Sequence, residues 1–224
     1  MTYMPAWSAA AAVVLTMTFG CAVSHAKPSF EAASEPTIRA AQDEALLHID
    51  AGGRLFEQRD LEGAAREYRE AIRLSPLNPV PHNNLGMLLH LQGQPEAALI
   101  EFRKSVALNP GYAPAWSNLG FAFFELEQLV SAMEAWRIAV NLNQQMAGTW
   151  AGLALGLFVS GQGDQASESY RKAIHLDPYY ADLAYLQTVR HWSARALHHA
   201  DMILRVIAAR QQASLPDSLI KGYR

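Results

Sequence analysis

The sequence predicts an all-α solenoid of stacked helical hairpins, and three observations support that fold class. The first is a 34-residue period, on which glycine recurs at Gly52, Gly86 and Gly120. The second is a set of further columns that keep the same step: small residues at Ala64, Ala98, Ala132 and Ala166, bulky residues at Tyr68, Phe102, Trp136 and Tyr170, small residues again at Ala71, Ser105, Ala139 and Ala173, and prolines at Pro76, Pro110 and Pro178. The third is that small and large residues fall at helical spacing within each period. A fixed period of this length indicates a repeat architecture, in which each hairpin buries its apolar face against the next.

Two amphipathic helices are expected in each period. Turn residues separate them, as at Gly93-Gln94-Pro95 and in residues 161–164. A small residue in the first helix faces an alanine in the second, which allows the two helices to approach closely. The proline near the end of a unit stops the second helix, because proline cannot continue it.

The amino-terminal residues differ from the rest of the chain. Residues 1–26 contain no Asp, Glu, Lys or Arg, and residues 9–19 form a short apolar run. This pattern is typical of a signal peptide. Cleavage is expected either after Ala26 or at a lipobox ending at Cys21, whose cysteine would then be acylated. An uncleaved anchor is a third reading. Because Cys21 is the one cysteine of the chain, no intramolecular disulfide is possible.

The remaining segments follow from the period. We expect a linker and lead-in over 27–44, followed by four units at 45–78, 79–112, 113–146 and 147–180. Beyond them the pattern decays, and residues 181–212 are predicted to form one short and one longer capping helix, with Ser193 as the amino-terminal cap of the second. Residues 213–224 read as a loose tail.

Two stretches, HNNLGMLLHLQGQPEAALIEFRKSVALNP and WSNLGFAFFELEQLVSAMEAWRIAVNLN, resemble the tetratricopeptide-repeat family. The resemblance implies a right-handed superhelical solenoid of four helix-turn-helix repeats. It also implies that the first helices line a concave groove, which binds a protein or peptide partner without catalysis. Some members hold acidic chaperone tails with cations on the first helices, but here Ile49, Gly53 and Pro114 occupy such positions.

The inward positions define candidate partner-binding residues. They combine an aromatic column, apolar residues and asparagines that could hydrogen-bond the main chain of a bound peptide: Phe56, Asn84, Met87, His90, Asn118, Phe121, Phe124, Leu155 and Phe158. The predicted groove therefore has an apolar floor and few charges. A competing expectation is that the protein's own tail or last helix lies in this groove.

Catalytic and metal chemistry is not expected. The sequence has no glycine-rich phosphate loop, paired-cysteine motif or nucleophile elbow, so we expect no enzyme activity and no cofactor. His191 and His198 share a helical face without an acidic or cysteine neighbour, which argues against a metal site. His48 and His82 occupy a column that holds tryptophan in later units, which indicates a packing role.

The charge balance excludes nucleic acid as a partner. The net charge is −3, and no block of like charges occurs. The leading functional hypothesis is an adaptor of the bacterial cell envelope, located in the periplasm or held at the outer membrane by a lipid on Cys21. The alternatives are a self-associating structural module, which makes a homo-oligomer possible, and a cytoplasmic scaffold with an uncleaved amino-terminal segment.

Overall fold

The computed structural model describes residues 34–213, and every regular element in that range is helical. Four helical hairpins are followed by a terminal segment, residues 178–213. The helices are α1 (Glu35–Glu57), α2 (Leu61–Leu74), α3 (Pro79–Leu91), α4 (Pro95–Leu108), α5 (Ala113–Glu125), α6 (Leu129–Leu142), α7 (Ala147–Val159), α8 (Gly163–Leu176), α9 (Leu183–Thr188) and α10 (Ala194–Ala213), with a 3-10 turn at Pro178–Ala181 between α8 and α9. The all-α fold class is confirmed. The expected signal peptide, Cys21 and residues 214–224 lie outside the described residues.

The first helix is longer than its counterparts. α1 has 23 residues, whereas α3, α5 and α7 have 13 each. Residues 35–44, which the sequence placed in a linker and lead-in, are therefore helical. The physical reason is local: Pro36 stands in the first turn, where proline is tolerated, and alanine, glutamate and glutamine are good helix formers.

Each of the first three hairpins is closed by a glycine that faces an aromatic ring. A Cβ on Gly86 would lie 2.7 Å from Phe102, and a Cβ on Gly120 would lie 2.5 Å from Trp136. Both rings are buried, at 2 % and 0 % exposure. The glycine column therefore marks close contact between the two helices of a hairpin.

A second column links the two helices through polar atoms. In the first two hairpins a histidine Nδ1 lies 2.6–2.7 Å from a glutamate Oε2, in the pairs His48–Glu67 and His82–Glu101. In the next two hairpins the histidine is replaced by tryptophan. Trp116 and Trp150 donate Nε1–H to a backbone carbonyl at the end of the preceding unit. The packing role expected for His48 and His82 agrees with these contacts.

The terminal segment shares the core of the last two hairpins. Leu186 of α9 and Ala200 and Ile203 of α10 are completely buried in the cluster that also contains Trp136 and Leu155. The backbone N–H of Ala196 donates to the Ser193 hydroxyl at 3.1 Å, as expected for a cap. The terminal helices are therefore integral to the fold. Within residues 34–213, none of the helices is both long and apolar enough to cross a membrane.

Candidate partner-binding groove

A cavity of about 630 Å³ lies between the first helices and the terminal segment. Its apolar lining comes from both sides. Phe56, Met87, Leu91, Phe121, Met146, Val189 and Trp192 all contribute to it. Met87 is 38 % exposed, so its side chain is accessible from the cavity. The cavity is thus an apolar recess with an accessible floor.

Eight of the nine expected groove residues divide into two sets, and the ninth, Asn84, is half-buried and does not line the cavity. Phe56, Met87, His90, Asn118 and Phe121 line the cavity. Phe124 and Leu155 are 1 % and 0 % exposed, and Phe158 packs against the same core. The structure therefore brings the residues of the first three hairpins to an open space and buries the deeper residues of the last two.

The deeper residues are covered by the terminal segment. The His199 ring lies 6.0 Å from Phe124 and 6.2 Å from Phe158, and the Trp192 ring lies 5.6 Å from Phe121. The Arg195 guanidinium stands 4.9 Å above the Phe124 ring. The alternative expectation, that the last helix occupies the groove, therefore holds for the part formed by α5 and α7.

Polar contacts hold this segment at two places along the stack. At the α5–α6 turn, the Ser193 hydroxyl donates to Glu125 at 2.7 Å and Arg195 pairs with Glu127 at 2.8 Å. At the α1–α2 turn, Arg59 Nη1 lies 3.4 Å from His191 Nε2. The terminal segment thus spans from the third hairpin back to the first and forms one wall of the cavity.

The turn residues that make these contacts have an unusual backbone. At equivalent positions in the turn between the two helices, one residue of each hairpin has positive φ. In the second and fourth hairpins this residue is Gly93, at 72°, and Gly161, at 81°. Arg59 at 66° and Glu127 at 61° occupy this position in the other two. A side chain in this region costs free energy, which is why glycine is the usual choice. The two non-glycine residues are the ones whose side chains contact the terminal segment.

The asparagines form a chain of hydrogen bonds across two hairpins. Asn118 Nδ2 donates to Asn83 Oδ1 at 2.9 Å, and Asn83 Nδ2 lies 3.3 Å from Asn84 Oδ1. Asn83, which is 3 % exposed, connects the two candidates. The arrangement fixes the orientation of the Asn118 amide and directs its remaining carbonyl acceptor sites away from Asn83.

The cavity lining combines the imidazole of His90 with the side chains of Glu125, Asp177 and Arg190. Burial lowers the pKa of His90 although the Glu125 carboxylate acts in the opposite direction, so the imidazole is neutral near pH 7. Its Nδ1 atom is buried without a hydrogen-bond partner among the described residues. The Glu125 carboxylate already accepts a hydrogen bond from Ser193. Within residues 34–213, no group of three or more His, Cys, Asp and Glu residues is placed to bind a metal ion.

Comparisons with protein families agree with this architecture. A family described as "TPR repeat" matches residues 52–93, and one described as "Tetratricopeptide repeat" matches residues 81–112. These matches cover the first two hairpins in large part. No curated protein matches the chain.

Solved structures with the same fold extend the comparison to the other hairpins. A structure titled "Crystal structure of MamA protein" is 24% identical, with a TM-score of 0.53, and the match covers 78% of this chain and 97% of that one. PilF from Pseudomonas aeruginosa is 19% identical, with a TM-score of 0.59 and coverage of 74% and 78%. YrrB, titled "a TPR protein with an unusual peptide-binding site", is 20% identical, with a TM-score of 0.54 and coverage of 80% and 96%. At identities this low, the similarity in structure shows a shared solenoid fold and no more.

Proposed function

We propose that this chain, a solenoid that carries tetratricopeptide repeats over residues 52–112, is a non-catalytic scaffold that holds a segment of a partner protein in its open groove. The apolar cavity between the first helices and the terminal segment carries the proposal. Proteins with this repeat generally mediate protein–protein interactions, and YrrB is a TPR protein with an unusual peptide-binding site. A partner side chain inserted between Met87 and Trp192 would contact apolar atoms on both sides.

The expected affinity is modest. Full burial of an exposed apolar side chain contributes roughly 1.5–3 kcal/mol. Met87 is only 38 % exposed before binding, so its contribution is a fraction of that. Several partner side chains together must also offset an association cost of several kcal/mol. Binding on the order of micromolar follows for a single short segment.

We propose that the scaffold works in the bacterial cell envelope. The uncharged residues 1–26 with their apolar run support export, and Cys21 supports a lipid anchor at the outer membrane. If the chain is exported, its partner is a periplasmic or membrane-attached protein. The amino-terminal residue of the mature protein, determined by mass spectrometry, tests this: Cys21 or Lys27 supports export, and an intact residue 1 contradicts both a cleaved signal peptide and a lipid on Cys21.

Site-specific photocrosslinking tests the groove. The photoreactive residue replaces Met87 in the full chain, and the matched control places it at Ile100, an apolar residue of α4 that is 55 % exposed. We expect one partner protein to be captured at Met87 and not at Ile100. Leu91→Glu, which puts a charge into the cavity lining, should abolish the capture, whereas Val130→Glu, at a residue 81 % exposed on α6, should leave it unchanged.

Other captured species contradict the proposal. Crosslinks at Met87 to residues 1–33 or 214–224 of the same chain mean that the groove is filled by the protein itself. Crosslinks to a second copy mean that the groove serves self-association. Capture that survives Leu91→Glu places the partner outside the cavity.

A further inference from the structure

A second cavity lies between α6 and α8, the second helices of the third and fourth hairpins. It has a volume of about 680 Å³ and, among the described residues, shares no lining residue with the partner-binding cavity. Trp150, Leu153 and Leu157 of α7 form its floor. The two leucines are 8 % and 4 % exposed, whereas most of the residues of α6 and α8 that border the cavity are exposed. We call it the α6–α8 cleft.

The border of the cleft is positively charged. Arg137 stands on α6, and Arg171 and Lys172 stand on α8. Glu168 is the one carboxylate among the described lining residues. Within residues 34–213, none of the three cations makes an ion pair. The cleft is therefore a cationic surface in a chain whose net charge is −3.

The repeat explains why Lys172 has no acidic partner. In the second hairpin, Lys104 pairs with Glu101 at 2.7 Å. Lys172 occupies the column of Lys104, but Ser169 occupies the column of Glu101, and in the third hairpin that column holds Ala135. The carboxylate that neutralises the lysine of the second hairpin is therefore missing from both α6 and α8.

The equivalent places between the other hairpins are smaller or occupied. Between the first and second hairpins the cavity has a volume of about 250 Å³, and Glu62 lies in its lining beside Arg69. Between the second and third hairpins, Arg103 lies over the Phe123 ring, 5.5 Å from its centroid. Arg69 and Arg103 occupy the column of Arg137. Among the described residues, an open cleft bordered by unpaired cations is thus a feature of the junction between the third and fourth hairpins.

Trp150 gives the cleft an apolar contact surface. Its ring is half-buried, and its Nε1–H donates to the Gln144 carbonyl at 2.9 Å, which fixes the orientation of the ring. A fixed aromatic ring suits an apolar side chain, and arginine side chains suit carboxylates.

We propose that the α6–α8 cleft binds an acidic segment of a partner protein, in which carboxylates flank an apolar side chain. The carboxylates pair with Arg137 on one helix and with Arg171 and Lys172 on the other, while the apolar side chain packs on Trp150. Charge complementarity selects this occupant, because a basic segment would place like charges together beside three unpaired cations. Since the cleft is separate from the groove, the scaffold can hold two segments at once.

Capped tripeptides test the cleft without the natural partner. Acetyl-Glu-Leu-Glu-amide carries two carboxylates beside a leucine, and acetyl-Gln-Leu-Gln-amide is the matched neutral probe. Each is titrated into the full chain at low salt, while the indole N–H resonances of Trp150 and Trp192 are followed by NMR. We expect saturable shifts at Trp150 with the acidic peptide alone, and no shift at Trp192, which lines the groove. Salt at about 0.3 M should weaken the binding several-fold, because it screens exposed ion pairs.

Variants separate the cleft from general charge attraction. The double variant Arg171→Gln, Lys172→Gln removes two charges from one border and should weaken binding of the acidic peptide about fivefold or more. The matched control, Arg39→Gln, Arg54→Gln, removes two exposed arginines of α1 and should leave the affinity unchanged. Equal shifts at Trp150 with the two peptides, unchanged affinity in the cleft variant, or an equal loss in the control would overturn the proposal.

A dilution series without peptide tests the other occupant. The Trp150 resonance should not depend on protein concentration; a shift on dilution would mean that a second copy of the chain occupies the cleft, and would overturn the proposal. Because the crosslink at Met87 probes the groove, either proposal can fail without the other.

Discussion

Two adjacent glycines of α1 should respond with opposite signs to the same substitution. A Cβ on Gly52 would lie 2.5 Å from Tyr68 Cε1 and 2.8 Å from Cδ1, whereas a Cβ on Gly53 would meet nothing within 4 Å. Tyr68 is 4 % exposed and packs in the core of the first hairpin, so its ring cannot move freely. Both glycines lie well inside the helix, where replacing glycine by alanine removes the same backbone entropy cost.

The magnitudes follow from these contacts. Gly53→Ala should stabilise the protein by roughly 0.5–1 kcal/mol, since only the helix propensity changes. Gly52→Ala gains the same amount but forces Tyr68 to shift, and overpacking of a core typically costs roughly 1–3 kcal/mol. The net effect expected for Gly52→Ala is a destabilisation of about 1 kcal/mol, which is the difference between the midpoints of the two ranges.

Urea unfolding of the full chain, followed by far-ultraviolet circular dichroism, measures both variants. The midpoint should rise for Gly53→Ala and fall for Gly52→Ala. Because both residues belong to the same hairpin, the comparison holds even if the hairpins do not unfold in one step. A rise of the midpoint in both variants would show that Tyr68 relaxes without cost and would refute the packing argument.

Three further predictions use other contacts. Glu101 is half-buried, and although burial acts to raise its pKa, hydrogen bonds from His82 and Lys104 lower it below the ordinary value of 4.5. The folded protein should therefore lose stability as the pH falls below about 4.5. Glu101→Gln should reduce that loss, which urea titrations at several pH values measure. If the slope between pH 3 and 5 is the same in Glu101→Gln, the pair does not contribute. Glu127→Gly removes a side chain at positive φ, whose strain costs roughly 1 kcal/mol, and it also removes an exposed ion pair worth less than about 1 kcal/mol. The free energy of unfolding should therefore stay within about 1 kcal/mol, while hydrogen exchange at residues 193–197 accelerates. Unchanged exchange would mean that Glu127 does not hold the terminal segment. Trp192→Ala removes the ring that contacts Phe121 and Tyr180, and it should lower stability by roughly 1–3 kcal/mol and increase the binding of a hydrophobic dye, whereas Trp192→Phe should largely preserve both.

The solenoid could be predicted from the sequence because its period is carried by residues with local and repeated roles. A glycine that faces an aromatic ring, and a proline or an asparagine at a helix end, each act within one hairpin. The terminal segment has no such period, so the path of residues 182–194 had to come from the structure. For this reason the division of the groove, with Phe124 and Leu155 buried and Met87 open, did not follow from the columns.

The wall of the cavity that contains Arg190 was missed for a related reason. The sequence predicts no cation at the groove positions of the first helices, and Arg190 belongs to the terminal segment. Its approach to Gly148 depends on the 3-10 turn that places Tyr180. By contrast, the His–Glu pairs carried a signal that was available. His48 and His82 repeat with Glu67 and Glu101, and both columns change together in the third hairpin, where Trp116 accompanies Ala135.

The contacts of the terminal segment make the number of repeats part of the structure. Arg59 in the first hairpin and Glu127 in the third are 68 residues apart, and both meet side chains within residues 191–195. Many repeat proteins gain or lose a unit in the middle of the array and keep their local contacts, because each unit touches only its neighbours. Here an inserted unit between the first and third hairpins would separate Arg59 from His191 and open the cavity. A change in the number of units therefore also requires a rebuilt terminal segment, which a substitution within one hairpin does not.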